Sequence, residues 1–221
     1  ATGYLAPLIR RLEVGWTSEV LRDGLTLVDL PGVGVSRDVH RDVTREWIRE
    51  RADALILIVD HRGLLESVEV ALRQSEFLNS LLYSADEPDG DPVLMVAVTR
   101  IDDLATSSYK SDRTKRKAEH FAEAASAATN QIRTEMQNSL QEIWLKGDEI
   151  PEARQKVVRN LLERLQVHPV SAPEFQKLLA DDEDDPAFLK SEEQTGIPQI
   201  RRALTQLSSE RKQTAYDALQ E

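Results

Sequence analysis

The stretch Leu25 to Gly34 places a carboxylate, a proline and two glycines directly behind four strand-like residues. Asp29 is suited to hold a water bound to Mg²⁺, because this ion prefers oxygen ligands and keeps several of its waters. Gly32 would let the backbone approach a phosphate group, since it carries no side chain. The alternative is a plain exit from a strand, in which Asp29 caps the chain end and Gly32 makes the turn.

The residues Thr99 to Asp102 follow a second apolar run. A buried carboxylate at Asp102 can accept two hydrogen bonds from the N1 and N2 donors of guanine, and it would reject adenine, which lacks that donor pair. Arg100 can lay its guanidinium or its aliphatic stem along the plane of the base. The alternative is that Asp102 or Asp103 caps the next helix.

A third apolar run ends in Val170, Ser171 and Ala172. Small residues after a strand leave backbone amides that can approach the guanine O6, although this tripeptide carries little information by itself. In open α/β sheets, ligands bind outside the carboxyl ends of the strands. Three such strand ends in a fixed order therefore indicate one nucleotide site.

Strand-like and helix-like segments alternate along the chain, and this alternation predicts the fold that would position these residues. Apolar runs at Ala52 to Asp60 and Pro92 to Arg100 are typical of strands buried on both faces. Gln166 to Ala172 is a shorter run of the same kind. Helical spacing recurs over three further segments: Arg41 to Arg51, Leu64 to Leu82 and Ile197 to Leu219. The sequence therefore predicts an α/β fold with a mostly parallel sheet flanked by helices.

Two short patterns precede this alternation. Leu12, Val14 and Trp16 alternate with polar or small neighbours, as in a half-exposed strand, and Leu25 to Val28 reads as a second strand. A turn near Asp23 separates them, so we expect the two strands to pair in antiparallel fashion.

The segment 111–165 interrupts the regular alternation of strands and helices. Ser111 to Lys146 contains neither proline nor glycine and carries apolar residues at helical spacing, so it predicts one long helix. Gly147 ends that helix, and Pro151 suits the first turn of another. We expect a helical insertion before the last strand that projects from the sheet and contacts a partner or a second copy. The alternative is a hairpin folded back on the body.

Composition bounds the classes of function. The chain has 221 residues, a length that fits one large domain over 1–221. It has no cysteines, so we expect no disulfide or thiolate chemistry. Its net charge is -11. The negative charge argues against a nucleic-acid partner, which would require a basic face. No apolar run approaches the roughly 20 residues that span a bilayer, and the expected location is cytoplasmic.

The order of the motifs resembles the P-loop GTPases, and in particular their dynamin-like branch. Acid-Leu-Pro-Gly, then Thr-basic-x-Asp, then Ser-Ala each follow their own strand, and the runs LVDLPG and ALILIVD are typical of that branch. The resemblance covers about Leu8 to Leu207. It implies a P-loop NTPase-like fold that binds GTP or GDP with Mg²⁺. It also implies hydrolysis coupled to self-association and often to membrane remodelling.

The resemblance assigns roles by position. Asp29 and Gly32 would sense the magnesium ion and the γ-phosphate at the start of the second switch. Thr99, Arg100 and Asp102 would recognise the base. Ser171 and Ala172 would support this recognition, and no catalytic residue is assigned.

The sequence departs from the family in two respects. Arg100 stands where lysine is usual, and the chain has no G-x-x-x-x-G-K-[ST] loop, which cradles the phosphates and supplies a Mg²⁺-binding hydroxyl. We therefore interpret the chain as an N-terminally incomplete GTPase domain that is inactive alone. In the intact parent protein it would hydrolyse GTP, with peripheral membrane contact through regions outside this chain. The alternative is a non-catalytic interaction module on a degenerate GTPase fold.

Overall fold

The computed structural model describes residues 14–15, 17–22, 24–29, 54–64, 93–144, 152–181 and 183–220. The chain divides into two compact units, one formed by 1–28 with 201–221 and the other by 29–200. The strands and the base-recognition motifs lie in the second unit. That the whole chain forms one domain stays a prediction.

The described strands and helices follow the predicted alternation. The strands are β1 (Ala54–Asp60), β2 (Val93–Thr99) and β3 (Gln166–Pro169). The helices are α1 (Ile101–Ser111), α2 (Lys117–Trp144), α3 (Glu152–Arg164), α4 (Ala172–Ala180) and α5 (Ile197–Ala218), with a short 3₁₀ turn at Glu192–Thr195. None of the helices in this described part combines the length and apolar composition needed to cross a membrane.

The three strands form a parallel sheet in the order β1-β2-β3. Val59 pairs with Val98, and Val98 pairs with Pro169, so the carboxyl ends of all three strands lie at one edge. The predicted α/β class is therefore confirmed, with a parallel sheet flanked by helices, and all three strands lie within their predicted runs.

A cluster of buried apolar residues forms a hydrophobic core on one face of this sheet. Alternate residues of a strand face the same side, so β1 and β2 each contribute three apolar side chains there: Leu55, Leu57, Val59, Leu94, Val96 and Val98. Helix α2 contributes a stripe that repeats every four residues: Ala128, Ile132, Met136 and Leu140. Helix α3 adds Val157, Val158 and Leu161 to the same cluster. The segment that connects β2 to β3 thus covers the sheet.

This packing overturns the expectation that 111–165 projects from the body. The apolar stripe of α2 belongs to the same buried cluster as the strands. Arg133 on α2 also donates a hydrogen bond from Nη2 to the backbone oxygen of Leu165, just before β3, at 3.2 Å. A projecting helix would leave this stripe in water, and burying it against the sheet is more favourable.

The long helix predicted to start at Ser111 starts later, and a break separates it from the helix before it. Helix α1 ends at Ser111, and α2 begins at Lys117. The Asp112 carboxylate accepts hydrogen bonds from the backbone N–H of Thr114 at 2.9 Å and from its hydroxyl at 2.6 Å. This local turn offers the backbone an alternative to the helix, which explains a break in a stretch that contains neither proline nor glycine.

The strand predicted over Leu25 to Val28 is not formed, and residues 24–29 have no regular structure. Leu27 is 55% exposed and Val28 is 44% exposed. A strand requires a neighbour for its backbone groups, and no described strand pairs with this segment. Val14 is irregular as well. The other predictions here concern Leu12, Trp16 and the helices over 41–51 and 64–82. Apart from Leu64, these residues fall outside the described part of the chain.

The prediction that β1 is buried on both faces is wrong for one face. Val59 is buried on the core side, but Ile58, which points to the opposite side, is 71% exposed. β1 is an edge strand of the described sheet. The middle strand β2 is covered on both sides, since Met95 and Ala97 are buried as well as Val96. An apolar run alone does not distinguish a middle strand from an edge strand.

A substitution on α2 tests whether this helix is part of the core. We expect Ile132→Ala to lower the free energy of unfolding by about 2–5 kcal/mol, because the side chain is 1% exposed and its removal leaves a cavity. The matched control is Gln137→Ala on the exposed face of the same helix, expected to change it by about 0.5 kcal/mol or less. Urea unfolding measures both. Equal effects of the two substitutions would contradict the packing of α2 on the sheet.

Candidate functional site

The carboxyl ends of β2 and β3 bring together two motifs that are far apart in the sequence. Thr99 ends β2, and Ser171 follows β3. The backbone N–H of Val170 donates to the oxygen of Val98 at 2.8 Å, which extends the pairing beyond β3. Thr-Arg-x-Asp and Ser-Ala therefore begin side by side at one edge of the sheet, where parallel sheets bind ligands.

Thr99 connects β2 to β1 at this edge. Its hydroxyl donates a hydrogen bond to the backbone oxygen of Val59 on β1, at 3.0 Å. The side chain is half-buried. Thr99 therefore ties the end of the middle strand to its neighbour, which fixes the point at which the chain turns from β2 into α1.

Arg100 makes that turn in a strained conformation. It precedes α1 with φ 63° and ψ 22°, in the left-handed region, which costs a residue other than glycine about 1–2 kcal/mol. Its side chain is 61% exposed, and its Nε donates to Oδ2 of Asp103 at 2.9 Å. Strained non-glycine residues of this kind are concentrated at functional sites, so the conformation of Arg100 marks this turn as a candidate site.

The two neighbouring carboxylates of α1 have different surroundings. Neither caps the helix, because Arg100 is the N-cap residue and α1 has no side-chain cap among the described residues. Asp103 pairs with Arg100, whereas Asp102 is half-buried and acts electrostatically on Lys177 of α4. The pKa of Lys177 is raised, chiefly by its hydrogen bond to Asp185 and to a smaller extent by Asp102.

Ser171 and Ala172 differ in what they can offer a ligand. The buried Ser171 is the N-cap of α4: its hydroxyl accepts a hydrogen bond from the N–H of Glu174 at 3.3 Å, and its own N–H donates to Thr195 O at 2.8 Å. The expectation of a free amide at Ser171 is therefore wrong. Ala172 is the exposed first residue of α4. Its N–H has no partner within the helix, so this amide is available to a ligand.

Glu174 is a buried carboxylate that the sequence analysis missed. It accepts hydrogen bonds from the backbone N–H groups of Phe188 at 2.7 Å and Leu189 at 3.3 Å. Its Oε1 also lies 3.8 Å from Nζ of Lys177. The carboxylate therefore holds the chain that follows the acidic loop against α4. The spacing from Ser171 to Glu174 is that of a capping box, which was the available signal.

The turn after β1 lies at the same edge and is held from two sides. Asp60 accepts hydrogen bonds from the backbone N–H and Nε of Arg62, at 2.9 and 2.8 Å, and from its Nη2. These bonds lower the pKa of Asp60. From α2, Glu135 accepts from the N–H of Leu64 at 2.6 Å, and Gln131 donates to the oxygen of Arg62 at 3.0 Å. Sequence reasoning missed this contact because these α2 residues are distant in the chain.

The phosphate side of the predicted site is described only in part. Asp29 is exposed and lies in an irregular segment, and Gly32 falls outside the described residues. Among the residues that are described, no cluster of three or more histidine, aspartate or glutamate side chains could hold a metal ion. One carboxylate does not make a magnesium site, so Asp29 as a metal-binding residue stays a prediction.

Over its described residues the chain is an α/β protein, in which three parallel strands form a sheet flanked by helices with a candidate site at the carboxyl edge. A scan against protein-family models finds no matching family, and searches of curated proteins and of solved structures find no significant match. The structural class of the protein is therefore inferred from its fold, and its function can be inferred only from the residues of the candidate site.

Gly196 tests how tightly the Ser171 side of the site is built. It follows Thr195, which is completely buried and bonded to Ser171, and it has φ 78°. A Cβ there would lie 1.9 Å from the oxygen of Pro169. We expect Gly196→Ala to lower the free energy of unfolding by at least about 3 kcal/mol, from the strain of a positive φ and the overlap.

The control for Gly196→Ala is Gly24→Ala. Gly24 also has a positive φ, 87°, but a Cβ there would meet nothing within 4 Å. This substitution should cost only the strain, about 1–2 kcal/mol. Chemical unfolding measures both variants, and an equal loss of stability would contradict the close packing of Gly196 against Pro169.

Proposed function

We propose that this chain is the guanine-nucleotide-binding domain of a dynamin-like GTPase, which hydrolyses GTP in the intact parent protein. One observation supports the proposal above all: Thr-Arg-x-Asp and Ser-Ala lie side by side at the carboxyl edge of a parallel sheet. In the family that the sequence resembles, residues of these types recognise guanine from that edge.

In this proposal the base is bound between α1 and α4. Asp102 accepts hydrogen bonds from the N1 and N2 donors of guanine, and the amide of Ala172 donates to O6. The stem of Arg100 lies along the base plane, which the large exposed fraction of this side chain permits. Adenine offers no donor pair to Asp102 and would leave that carboxylate unpaired, so it is rejected.

The phosphates are bound elsewhere in the proposed domain. Asp29 would face the magnesium ion through a water, and Gly32 would face the terminal phosphate. Phosphoryl transfer relies on positioning and electrostatics rather than on a covalent nucleophile, and Mg²⁺ supplies charge neutralisation when it is bound. The chain has no G-x-x-x-x-G-K-[ST] sequence, so the proposal requires a phosphate loop from the intact parent. Coupling of hydrolysis to self-association and membrane contact belongs to the same proposal.

We expect the isolated chain to bind GTP weakly, because its described motifs contact only the base. Titration with a fluorescent GTP analogue should show no saturable binding at micromolar concentration, with or without Mg²⁺. The same titration of the intact parent is the positive control. Tight, magnesium-dependent binding by the isolated chain would show that it contains a phosphate site of its own.

Replacing Asp102 tests base recognition in the intact parent. Asp102→Asn exchanges one acceptor for a donor, so it should weaken GTP binding by about tenfold or more, since each lost charged hydrogen bond is worth roughly 1.5–3 kcal/mol. Affinity for xanthosine triphosphate should rise instead. The matched control is Glu183→Gln in the exposed acidic loop, which should change neither affinity. Unchanged affinities in Asp102→Asn would refute the assignment.

The absence of the phosphate loop from the sequence also favours a second function, a non-catalytic interaction module on a degenerate GTPase fold. This module would bind a partner protein without nucleotide. The two functions differ in one measurement, since a module would leave the intact parent without saturable GTP binding. Magnesium-dependent binding by the parent would exclude it.

A further inference from the structure

We propose that Asp103 is a positioning residue for Arg100, and that the Arg100–Asp103 pair fixes the guanidinium against the guanine base. This proposal rests on the proposed function, because it assigns a further specificity residue to the same site. It is carried by the 2.9 Å hydrogen bond from Nε of Arg100 to Oδ2 of Asp103 and by the left-handed backbone of Arg100.

The pair contributes little to the stability of the fold. The side chains of Arg100 and Asp103 are 61% and 55% exposed, and ion pairs with this exposure are worth little to folding. The pair has a geometric consequence instead. The backbone of Arg100 fixes where its side chain starts, and the bond at Nε fixes the guanidinium near its other end. The stem between these two points then has few conformations left.

Arginine needs such a partner more than lysine does. A lysine ammonium is a point charge, and its direction matters little, whereas a guanidinium is planar and stacks on a ring only in one orientation. This chain has arginine at position 100, with an aspartate three residues later. An Arg100 side chain without Asp103 would keep its charge but would lose its fixed plane.

The pair also separates the roles of two adjacent carboxylates. Asp102 and Asp103 both lie in the first turn of α1. Because Asp103 engages Arg100, the carboxylate of Asp102 remains available for the N1 and N2 donors of guanine. On α4, Nζ of Lys177 lies 2.7 Å from Asp185 and 3.8 Å from Glu174. Lys177 is therefore held by its own partners and does not neutralise Asp102 by direct pairing.

A double-mutant cycle in the intact parent tests this proposal, with GDP and ADP affinity and the midpoint of urea unfolding as readouts. The variants are Asp103→Asn, Arg100→Ala and both together. We expect Asp103→Asn to weaken GDP binding about three- to tenfold, as for the loss of one hydrogen bond. In the Arg100→Ala protein, Asp103→Asn should have no further effect, because no guanidinium remains to be positioned. The weak binding of ADP should not change.

The control for a merely structural effect is Glu123→Gln on α2. It removes one charge from another exposed ion pair, which Glu123 forms with Lys115 in the turn before α2, with 2.5 Å between Nζ and Oε1. Both substitutions should shift the unfolding midpoint only slightly, because both ion pairs are exposed, but only Asp103→Asn should weaken GDP binding. An equal loss of GDP affinity with and without Arg100, or no loss in Asp103→Asn, would overturn the positioning role.

The Asp102→Asn variant separates failure of this proposal from failure of the proposed function. If Asp102→Asn changes base preference and Asp103→Asn is silent, the site recognises guanine but Asp103 does not position Arg100. If Asp102→Asn leaves base preference unchanged, the guanine site itself is refuted, and the role of Asp103 is refuted with it.

Discussion

The described structure depends on the parallel pairing of β2 with both of its neighbours. Parallel strands cannot be joined by a tight turn, so each connection must leave the sheet and return over one face. The connection from β2 to β3 carries α1, α2 and α3, and it supplies the apolar side chains that bury the sheet. The same pairing places all three carboxyl ends at one edge. The parallel pairing of β2 therefore determines both where the core forms and where the candidate site lies.

Helix α2 links this core to the edge of the sheet. One stripe of the helix, which includes Ile132 and Met136, is buried against the strands. The residues beside that stripe, Gln131 and Glu135, hold the turn after β1 through the oxygen of Arg62 and the N–H of Leu64. Hydrogen bonds to a charged group are worth roughly 1.5–3 kcal/mol each. A helix that stabilises the fold thus also fixes a loop next to the candidate site.

Some polar groups at the sheet edge form hydrogen bonds within the structure, and others remain available to the proposed ligand. The side chains of Thr99, Ser171 and Glu174 form hydrogen bonds with neighbouring backbone groups. These bonds make this edge rigid. Asp102 and Ala172 stand between them, with a half-buried carboxylate and an exposed first helical residue. A rigid frame around a few available groups is what base recognition by hydrogen bonds requires, because misplaced donors and acceptors lose specificity.

The sequence by itself determined the class of fold and the positions of the candidate motifs. Continuous apolar runs predicted β1, β2 and β3, because strands of a parallel sheet are buried by crossover helices. The motifs follow these apolar runs directly in the sequence, so the residues at the ends of β2 and β3 could be predicted as well. Local sequence signals were also sufficient to predict α5, which has Pro198 in its first turn.

Only the tertiary structure decided which surfaces are buried and which polar groups are already in use. Periodicity showed that α2 has an apolar stripe but not whether sheet, partner or second copy covers it. An apolar run did not reveal that Ile58 lies on an exposed face of an edge strand. The bond from Ser171 to Thr195 and the pairing of Arg100 with Asp103 depend on where the backbone turns. Such contacts form between groups that are close in space, and the order of residues does not specify which groups these are.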